Sequence, residues 1–214
     1  MRDGHERIAE RASNGDGVDG ASFRDPVFGA QTAFRQIMRA MASPGRIEHL
    51  DGDVLPPAGM GQASATLLLT LCDLETAVWF SDSQSSAARF LRFFADVRLV
   101  EAPGEADFAF IHPGGAFPPL GQFRCGDDQY PDRSATLVVE IESFEGGMPV
   151  SLTGPGIQDP EVIAPLGLPE DFWAQWSQNH MLYPCGVDLF LICGPAVMGL
   201  PRSVHAAAND REVV

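Results

Sequence analysis

A chain of 214 residues, 45% of them apolar, is long enough for one domain of ordinary size with a sizeable core. Its 29 acidic and 14 basic residues give a formal net charge of −15 with no compact basic run, which argues against nucleic acid and anionic membranes as partners. All 14 basic residues are arginine, so the chain cannot form a lysine Schiff base with pyridoxal phosphate and lacks the lysine of a P-loop.

The predicted elements begin after a polar N-terminal stretch. Residues 1–22 are rich in Gly, Asp, Arg and Asn and have little to bury, which predicts a disordered leader. We expect a single domain over residues 23–205, because no repeat or linker divides it. Residues 206–214 are expected to form a flexible tail.

The first predicted helix extends from Pro26 to Ser43. Asp25 is the expected N-cap, Pro26 occupies the first helical position, and Pro44-Gly45 ends the element. Apolar residues recur at spacings of three and four and are expected to face the core: Val27, Ala30, Phe34, Ile37 and Met41.

The middle of the chain alternates between helical and extended patterns. Ser64–Leu74 predicts a nearly all-apolar helix, although periodicity leaves a buried strand open for such a run. Thr76–Ser81 predicts a strand and Ser85–Ala95 a helix. Two further strands are expected at Arg98–Glu101 and Asp107–Ile111. A loop rich in Pro and Gly follows over residues 113–133, and loops of this length tend to be functional or mobile.

The last third predicts more strands around one helix. Ala135–Ile141 and Val150–Thr153 are expected to pair through a turn at Gly146-Gly147. Glu170–Met181 predicts an amphipathic helix with three aromatic residues. Late strands are expected over Val187–Cys193 and Val197–Leu200. The irregular alternation favours an α/β fold with a mixed sheet flanked by helices.

A glycine-rich segment offers the first candidate site. Gly154 and Gly156 directly follow a predicted strand, where glycine would let backbone N–H groups approach an anion closely. A tight turn uses the same residues, and this alternative stays open.

Charged residues supply the other candidates. Asp188 could orient a ligand or a partner's arginine, or it could cap a turn or pair with an arginine of this chain. Arg202 could offer a bidentate fork to a phosphonate, or it could pair with one of the 29 acidic residues. Arg35 and Arg39, four residues apart, could bind an anion or form a solvated helix face. No catalytic group stands out.

The cysteines and the termini bear on location. Cys72, Cys125, Cys185 and Cys193 form no C-x-x-C pair and no zinc-like spacing with a histidine, so no metal site is predicted. Cys72 and Cys193 lie in apolar runs and are expected to be buried. The first 20 residues lack the apolar core of a signal peptide, and no stretch approaches the ~20 apolar residues of a membrane span. A cytoplasmic protein with reduced thiols is expected.

Several segments together resemble the PhnH family of carbon–phosphorus lyase proteins, over about residues 23–205. They are Phe34-Arg35 through Ala40-Met41, Ser43-Pro44-Gly45, Leu69–Asp73 with Glu75-Thr76 and Val78-Trp79, Leu152–Ile157, Tyr183–Asp188 and Leu200-Pro201-Arg202. The resemblance implies a subunit that acts with the G, I and L subunits. That group makes ribose 1-phosphonate 5-triphosphate and adenine from an alkylphosphonate and ATP, for later cleavage by the J subunit.

The same resemblance implies more about the chain itself. The bond-making chemistry is attributed to the I subunit, so this chain would be required without being the catalyst. The family fold is similar to that of pyridoxal-phosphate-dependent transferases, as a homodimer without the cofactor. Two functions of different class therefore compete: a non-catalytic, interaction-bearing subunit, and a stand-alone enzyme or binder for a phosphonate or nucleotide. A pyridoxal-phosphate enzyme is close to excluded by the missing lysine.

Overall fold

A computed structural model describes residue 23 and residues 25–208. The predicted leader, residues 1–22, and the last six residues of the predicted tail, 209–214, lie outside the described residues. The helices are α1 (Pro26–Ala42), α2 (Gln62–Leu71), α3 (Ser86–Phe94) and α4 (Phe172–Met181). The strands are β1 (Ile47–His49), β2 (Ala77–Phe80), β3 (Arg98–Val100), β4 (Phe108–Ile111), β5 (Thr136–Glu140), β6 (Val150–Thr153), β7 (Glu161–Ile163), β8 (Asp188–Cys193), β9 (Ala196–Leu200) and β10 (His205–Ala208).

Seven of the strands form one mixed sheet, as the alternation of elements predicted. Its order is β1-β9-β8-β5-β4-β2-β3. The five strands β8, β5, β4, β2 and β3 are parallel to one another. Strand β9 is antiparallel to both of its neighbours, β8 and β1. The parallel strands β2, β4, β5 and β8 contain continuous apolar runs because both of their faces are covered. In β5, for example, Leu137, Val138 and Val139 are all buried.

Successive side chains of each strand point to opposite faces, and this divides the core into two layers. Val138 and Phe190 lie on the face covered by α1, α2 and α3. Leu137 and Leu189 lie on the other face, together with Phe172 and Trp176 of α4. The aromatic residues predicted for α4 thus supply core on one side of the sheet.

The start of α1 follows the predicted capping chemistry. Asp25 Oδ1 accepts hydrogen bonds from the N–H groups of Val27 (3.1 Å) and Phe28 (3.0 Å), and Pro26 begins the helix. The helix ends at Ala42, just before Pro44-Gly45. Both predicted ends of this helix are therefore confirmed to within one residue.

The apolar face predicted for α1 is wrong in part. Val27 and Phe34 are 73% and 46% exposed, whereas Ala33, Ile37 and Ala40 are buried against the sheet. The cause is a close approach of helix to strand: a Cβ at Gly199 of β9 would lie 2.5 Å from the Ala40 carbonyl oxygen. Only small residues fit at such a contact, so size as well as hydrophobicity selects the inner face, which also contains Ile37.

The hairpin predicted between β5 and β6 is wrong. β6 belongs to a second, three-stranded antiparallel sheet in the order β10-β6-β7. Its burial alternates along the strand, as expected for a sheet with one covered face, whereas β5 is buried on both faces and lies between β4 and β8. β7 was not predicted from the sequence.

The predicted tail also begins too early. Residues 206–208 are part of β10, in which Ala206 pairs with Leu152 of β6. The three consecutive alanines, residues 206–208, show no alternation of apolar and polar side chains that would predict a strand. Their pairing depends on backbone hydrogen bonds. The second sheet packs on the same face of the large sheet as α4, through Val150, Leu152 and Ile163.

Two further sequence questions are answered by α2 and the cysteines. The all-apolar run is a helix, with residues from Ala63 to Leu68 buried. Cys72 is buried, and desolvation by burial raises the pKa of its thiol well above the usual range. Cys193, expected to be buried, is only half-buried. No helix among the described residues is long and apolar enough to cross a membrane.

Candidate functional site

Arg202 and Asp188 form an ion pair at the start of β8. The Arg202 Nε–H donates to Asp188 Oδ1 (3.1 Å) and Oδ2 (3.2 Å), and Nη2 donates to Oδ2 as well. The Arg202 backbone N–H donates to Oδ1 (2.8 Å). The two side chains are 14% and 21% exposed, so the pair is largely desolvated.

The remaining donors of the Arg202 guanidinium are also used. Nη1 donates to the carbonyl oxygens of Pro131 (2.8 Å) and Pro184 (3.4 Å), and Nη2 donates to Ser134 Oγ. A guanidinium has five N–H donors in a fixed fork, and here each nitrogen points at acceptors of the chain itself. The structure thus shows, for each of the two residues, the alternative of pairing within the chain, and the partner of each is the other.

The C-terminal half of α4 holds the surrounding backbone. The Asn179 side chain accepts from the Val187 N–H (2.8 Å) and donates to the Val187 carbonyl (2.9 Å). The Trp176 indole N–H donates to the Val204 carbonyl at 3.0 Å. His180 Nδ1 lies 3.1 Å from the Arg202 carbonyl oxygen. The segments on both sides of the ion pair are therefore fixed by one helix.

Gly154 and Gly156 form the tight turn that was the alternative to an anion loop. Gly154 has a φ of +142°, and a Cβ there would lie 3.0 Å from the Ser203 carbonyl oxygen. Gly156 has a φ of +84°, and its Cβ would lie 2.3 Å from the Ala42 carbonyl oxygen. Both glycines allow backbone to touch backbone, which explains why the sequence has glycine here.

The structure brings together only part of the predicted set. Gly154 lies against the residues that follow Arg202, beside the Asp188 pair. Gly156 lies against the end of α1. Arg35 is exposed on α1, seven residues before Ala42 and so about 10 Å away along the helix axis. Arg39, its neighbour one turn on, pairs with Glu48 at 3.4 Å.

A second candidate site lies at the carboxyl ends of the parallel strands. The chain leaves β2 toward β3 at one edge of the sheet and leaves β4 toward β5 in the opposite direction. Ligands of open α/β sheets bind at such reversals. The loop after β4 folds over this point: the His112 N–H donates to Ser81 Oγ (3.4 Å), and Gly115 packs against the same hydroxyl.

A cleft of about 370 Å³ opens beside that loop, above β4 and β5. Its polar side chains are His112, Glu140 and Glu142, and its walls are completed by Phe117 and the segment 167–169. The lining residues that the structure describes include two carboxylates and no arginine. Such a cleft repels a phosphonate or a triphosphate and suits a neutral or cationic group.

Glu140 has a structural partner at this cleft. Its Oε1 accepts from the Gly61 N–H and the Ser64 hydroxyl, each at 2.5 Å, at the first turn of α2. A carboxylate is favourable there because the helix N-terminus carries positive partial charge and unpaired N–H groups. Glu140 therefore connects the end of β5 to α2.

Replacing Glu140 by alanine is expected to lower the free energy of unfolding by about 2 kcal/mol. The reason is that the fully buried Ser64 hydroxyl and the Gly61 N–H both lose their acceptor. Urea denaturation measures the change. Glu142→Ala, at an exposed cleft position, is the matched control and should change stability by less than about 0.5 kcal/mol. Equal effects of the two variants would contradict the capping role.

The sequence did not identify this cleft. Two glutamates two positions apart, such as Glu140 and Glu142, are typical of the exposed side of a strand, but Glu140 is half-buried. The available signal was positional: His112 and Glu140 each stand at the carboxyl end of an apolar run, where parallel strands share one edge. Within the described part of the chain, no group of three or more His, Cys, Asp or Glu side chains could hold a metal ion.

Comparison with known proteins identifies relatives of this chain. Residues 21–207 match the family model described as "Bacterial phosphonate metabolism protein (PhnH)". The chain is 46% identical over 184 residues to the alpha-D-ribose 1-methylphosphonate 5-triphosphate synthase subunit PhnH of Rhizobium meliloti (strain 1021), covering 85% of this chain and 92% of that protein.

A second relative comes from Stutzerimonas stutzeri. It is provisionally named C-P lyase subunit protein HtxG and is 33% identical over 177 residues, which cover 82% of this chain and 84% of the relative. The family match includes Asp188 and Arg202 and spans every strand of both sheets except the last residue of β10. The chain belongs to the PhnH family of bacterial phosphonate metabolism proteins.

Proposed function

We propose that this chain is a required, non-catalytic subunit of the carbon–phosphorus lyase system. In that system an alkylphosphonate and ATP give ribose 1-phosphonate 5-triphosphate and adenine. The observation that carries the proposal is the 46% identity to a synthase subunit, of whose length 92% is covered. Similarity over nearly the whole of a subunit supports the same role in an assembly.

The geometry of the two candidate sites supports a non-catalytic role. The Arg202 donors point at Asp188, Pro131, Pro184 and Ser134, and the cleft above β4 and β5 carries carboxylates. Both reactants of the synthase are anions. A site that binds them among the described residues would need arginine N–H groups that are not already used by the chain. The absence of lysine from the sequence also removes a Schiff-base mechanism.

The assembly partners are inferred from the family. We infer that the chain acts with the G, I and L subunits in the cytoplasm, before the J subunit cleaves the carbon–phosphorus bond. In isolation it would form a homodimer. The mixed sheet with helices on its faces is compatible with the fold of pyridoxal-phosphate-dependent transferases, used here without the cofactor.

Co-purification tests the proposal. The tagged chain, co-expressed with the untagged G and I subunits of the same organism, should retain both on an affinity column and elute with them as one species in size exclusion. An unrelated tagged protein of similar size and charge serves as the control. Failure of the subunits to associate at micromolar concentration would contradict the proposed function.

A stand-alone binder or enzyme is the second candidate, and one observation favours it. The cleft of about 370 Å³ lies at the carboxyl ends of β4 and β5, beside the reversal at which open α/β sheets bind ligands, and its lining suits a neutral group such as the adenine base of a nucleotide. Calorimetry of the isolated chain with ATP and with methylphosphonate separates the two functions. Binding of either ligand that is lost in His112→Ala would favour the second, and the absence of heat with both would favour the first.

A further inference from the structure

Two loop segments project exposed apolar side chains beside the Asp188–Arg202 pair. They contribute Tyr130 from the long loop and Met181, Leu182 and Tyr183 from the end of α4, and these four residues are here called the tyrosine ridge. Met181 is 76% and Tyr183 62% exposed. Tyrosine and methionine are enriched at the centres of protein interfaces.

The Arg202 guanidinium bridges the two segments, which are also joined by a hydrogen bond from the Gly186 N–H to the Cys125 carbonyl oxygen (2.7 Å). Arg202 Nη1 donates to the carbonyl oxygens of Pro131 and Pro184, which directly follow Tyr130 and Tyr183. The two halves of the tyrosine ridge are therefore neighbours, although 53 positions separate Tyr130 from Tyr183 in the sequence. A largely buried ion pair with no donor left for a ligand thus fixes the shape of an exposed surface.

Local contacts order the ridge further. Asp127 Oδ1 accepts from the N–H groups of Gln129 (2.9 Å) and Tyr130 (2.8 Å), which closes the loop into a turn. The Arg133 guanidinium lies over the Tyr130 ring, 3.9 Å from its centroid. A surface that is ordered before binding loses less conformational entropy when a partner docks.

A groove of about 480 Å³ adjoins the ridge. It lies between the segment 119–121 and the outer side of α4, and Leu182 of the ridge forms one of its walls. Leu120, Cys125 and Gln175 also line it. The ridge thus offers projecting apolar side chains, and the groove offers a recess with both apolar and polar walls.

The charge around this surface is negative. Asp127, Asp128 and Asp132 are exposed on the loop, and Asp171 lines the groove. Against these four carboxylates the loop has two guanidinium groups, of which Arg124 pairs with Asp107 and Arg133 lies over Tyr130. An approaching basic surface would be attracted, and a second copy of the same face would be repelled.

We propose that the tyrosine ridge and its groove dock another subunit of the assembly, through a segment in which an apolar anchor side chain is flanked by arginine or lysine. The anchor enters the groove beside Leu182, and the basic residues face Asp127, Asp128 and Asp132. The inference rests on the proposed function. It assigns a structural role to Arg202, whose contacts with Pro131 and Pro184 position the two segments of the docking surface.

Surface variants test this assignment in the co-expressed complex. Met181→Asp and Leu182→Asp are expected to weaken the association at least tenfold, because each places a charge on the apolar contact. The matched controls are Leu74→Asp and Val162→Asp, which change exposed apolar residues elsewhere, 68% and 50% exposed, and should leave the association unchanged. Circular dichroism of each variant verifies that the fold is retained.

The contribution of the three loop aspartates is tested separately, by the rate of association and its salt dependence. The triple change Asp127→Asn, Asp128→Asn and Asp132→Asn should slow association and flatten its dependence on salt concentration.

Equal affinity of Met181→Asp, Leu182→Asp and the wild type would overturn the docking surface while leaving the proposed function intact. Absence of any association by the wild type would instead overturn the proposed function. Dimerisation of the chain through the ridge, lost in Met181→Asp, would also contradict the proposal.

Discussion

Replacing Arg202 by alanine is expected to lower the free energy of unfolding by about 3 kcal/mol or more. The change leaves Asp188, 21% exposed, without its cationic partner, and it leaves two carbonyl oxygens and the Ser134 hydroxyl without their donor. Removing one member of a desolvated pair costs more than the pair contributes, because the remaining charge stays in a poorly solvated position. Urea denaturation followed by tryptophan fluorescence measures the loss.

A double-mutant cycle provides the control for this prediction. Asp188→Ala alone should also be strongly destabilising, since it strands the Arg202 guanidinium. The double variant should cost less than the sum of the two single changes, because the second deletion removes a group that has already lost its partner. Additive costs, or a loss below about 1 kcal/mol for Arg202→Ala, would contradict the role assigned to the pair.

Replacing Gly156 by alanine is the second change with a large expected effect, about 3 kcal/mol of destabilisation. Two terms add. The φ of +84° is unfavourable for a residue with a Cβ, and that Cβ would lie 2.3 Å from the Ala42 carbonyl oxygen and 2.9 Å from Pro44 Cδ. Backbone cannot move aside as a flexible side chain can, so the turn after β6 must shift away from the end of α1.

Gly59 separates these two terms. Its φ of +81° is nearly the same, but a Cβ there would meet nothing within 4 Å. Gly59→Ala should therefore cost only the conformational part, about 1 kcal/mol. Thermal or urea unfolding of the two variants side by side gives the difference. Similar losses in both would show that the contact between the turn and α1 is not tight.

Elements with local signals were predicted well from the sequence. Asp25, Pro26 and Pro44-Gly45 carry the boundaries of α1 in their own chemistry, and the structure confirms both ends. The mixed sheet followed from the irregular alternation of elements. Non-local features could not be read in this way. The partners of β6 lie at residues 161–163 and 205–208, and nothing in the sequence of β6 specifies them.

The candidate sites show the same division. Asp188 and Arg202 were identified as functional candidates from residue type, with pairing to an unspecified residue of the chain as the alternative for each, and only the geometry shows that they pair with each other. Tyr130 and Tyr183 lie in segments that the Arg202 guanidinium bridges, a contact between distant parts of the chain that the sequence does not show. The capping contact of Glu140 could not be predicted, because a sequence gives no sign that α2 begins beside the end of β5.

The edges of the large sheet bear on whether copies of this protein can pair strand to strand. Both edge strands, β1 and β3, are only three residues long, and each exposes a charged or polar side chain at the rim, Arg98 on β3 and His49 on β1. Short, polar rims offer little template for strand-by-strand polymerisation. The exposed tyrosine ridge can therefore coexist with large-sheet edges that resist amyloid-like pairing between copies of the protein.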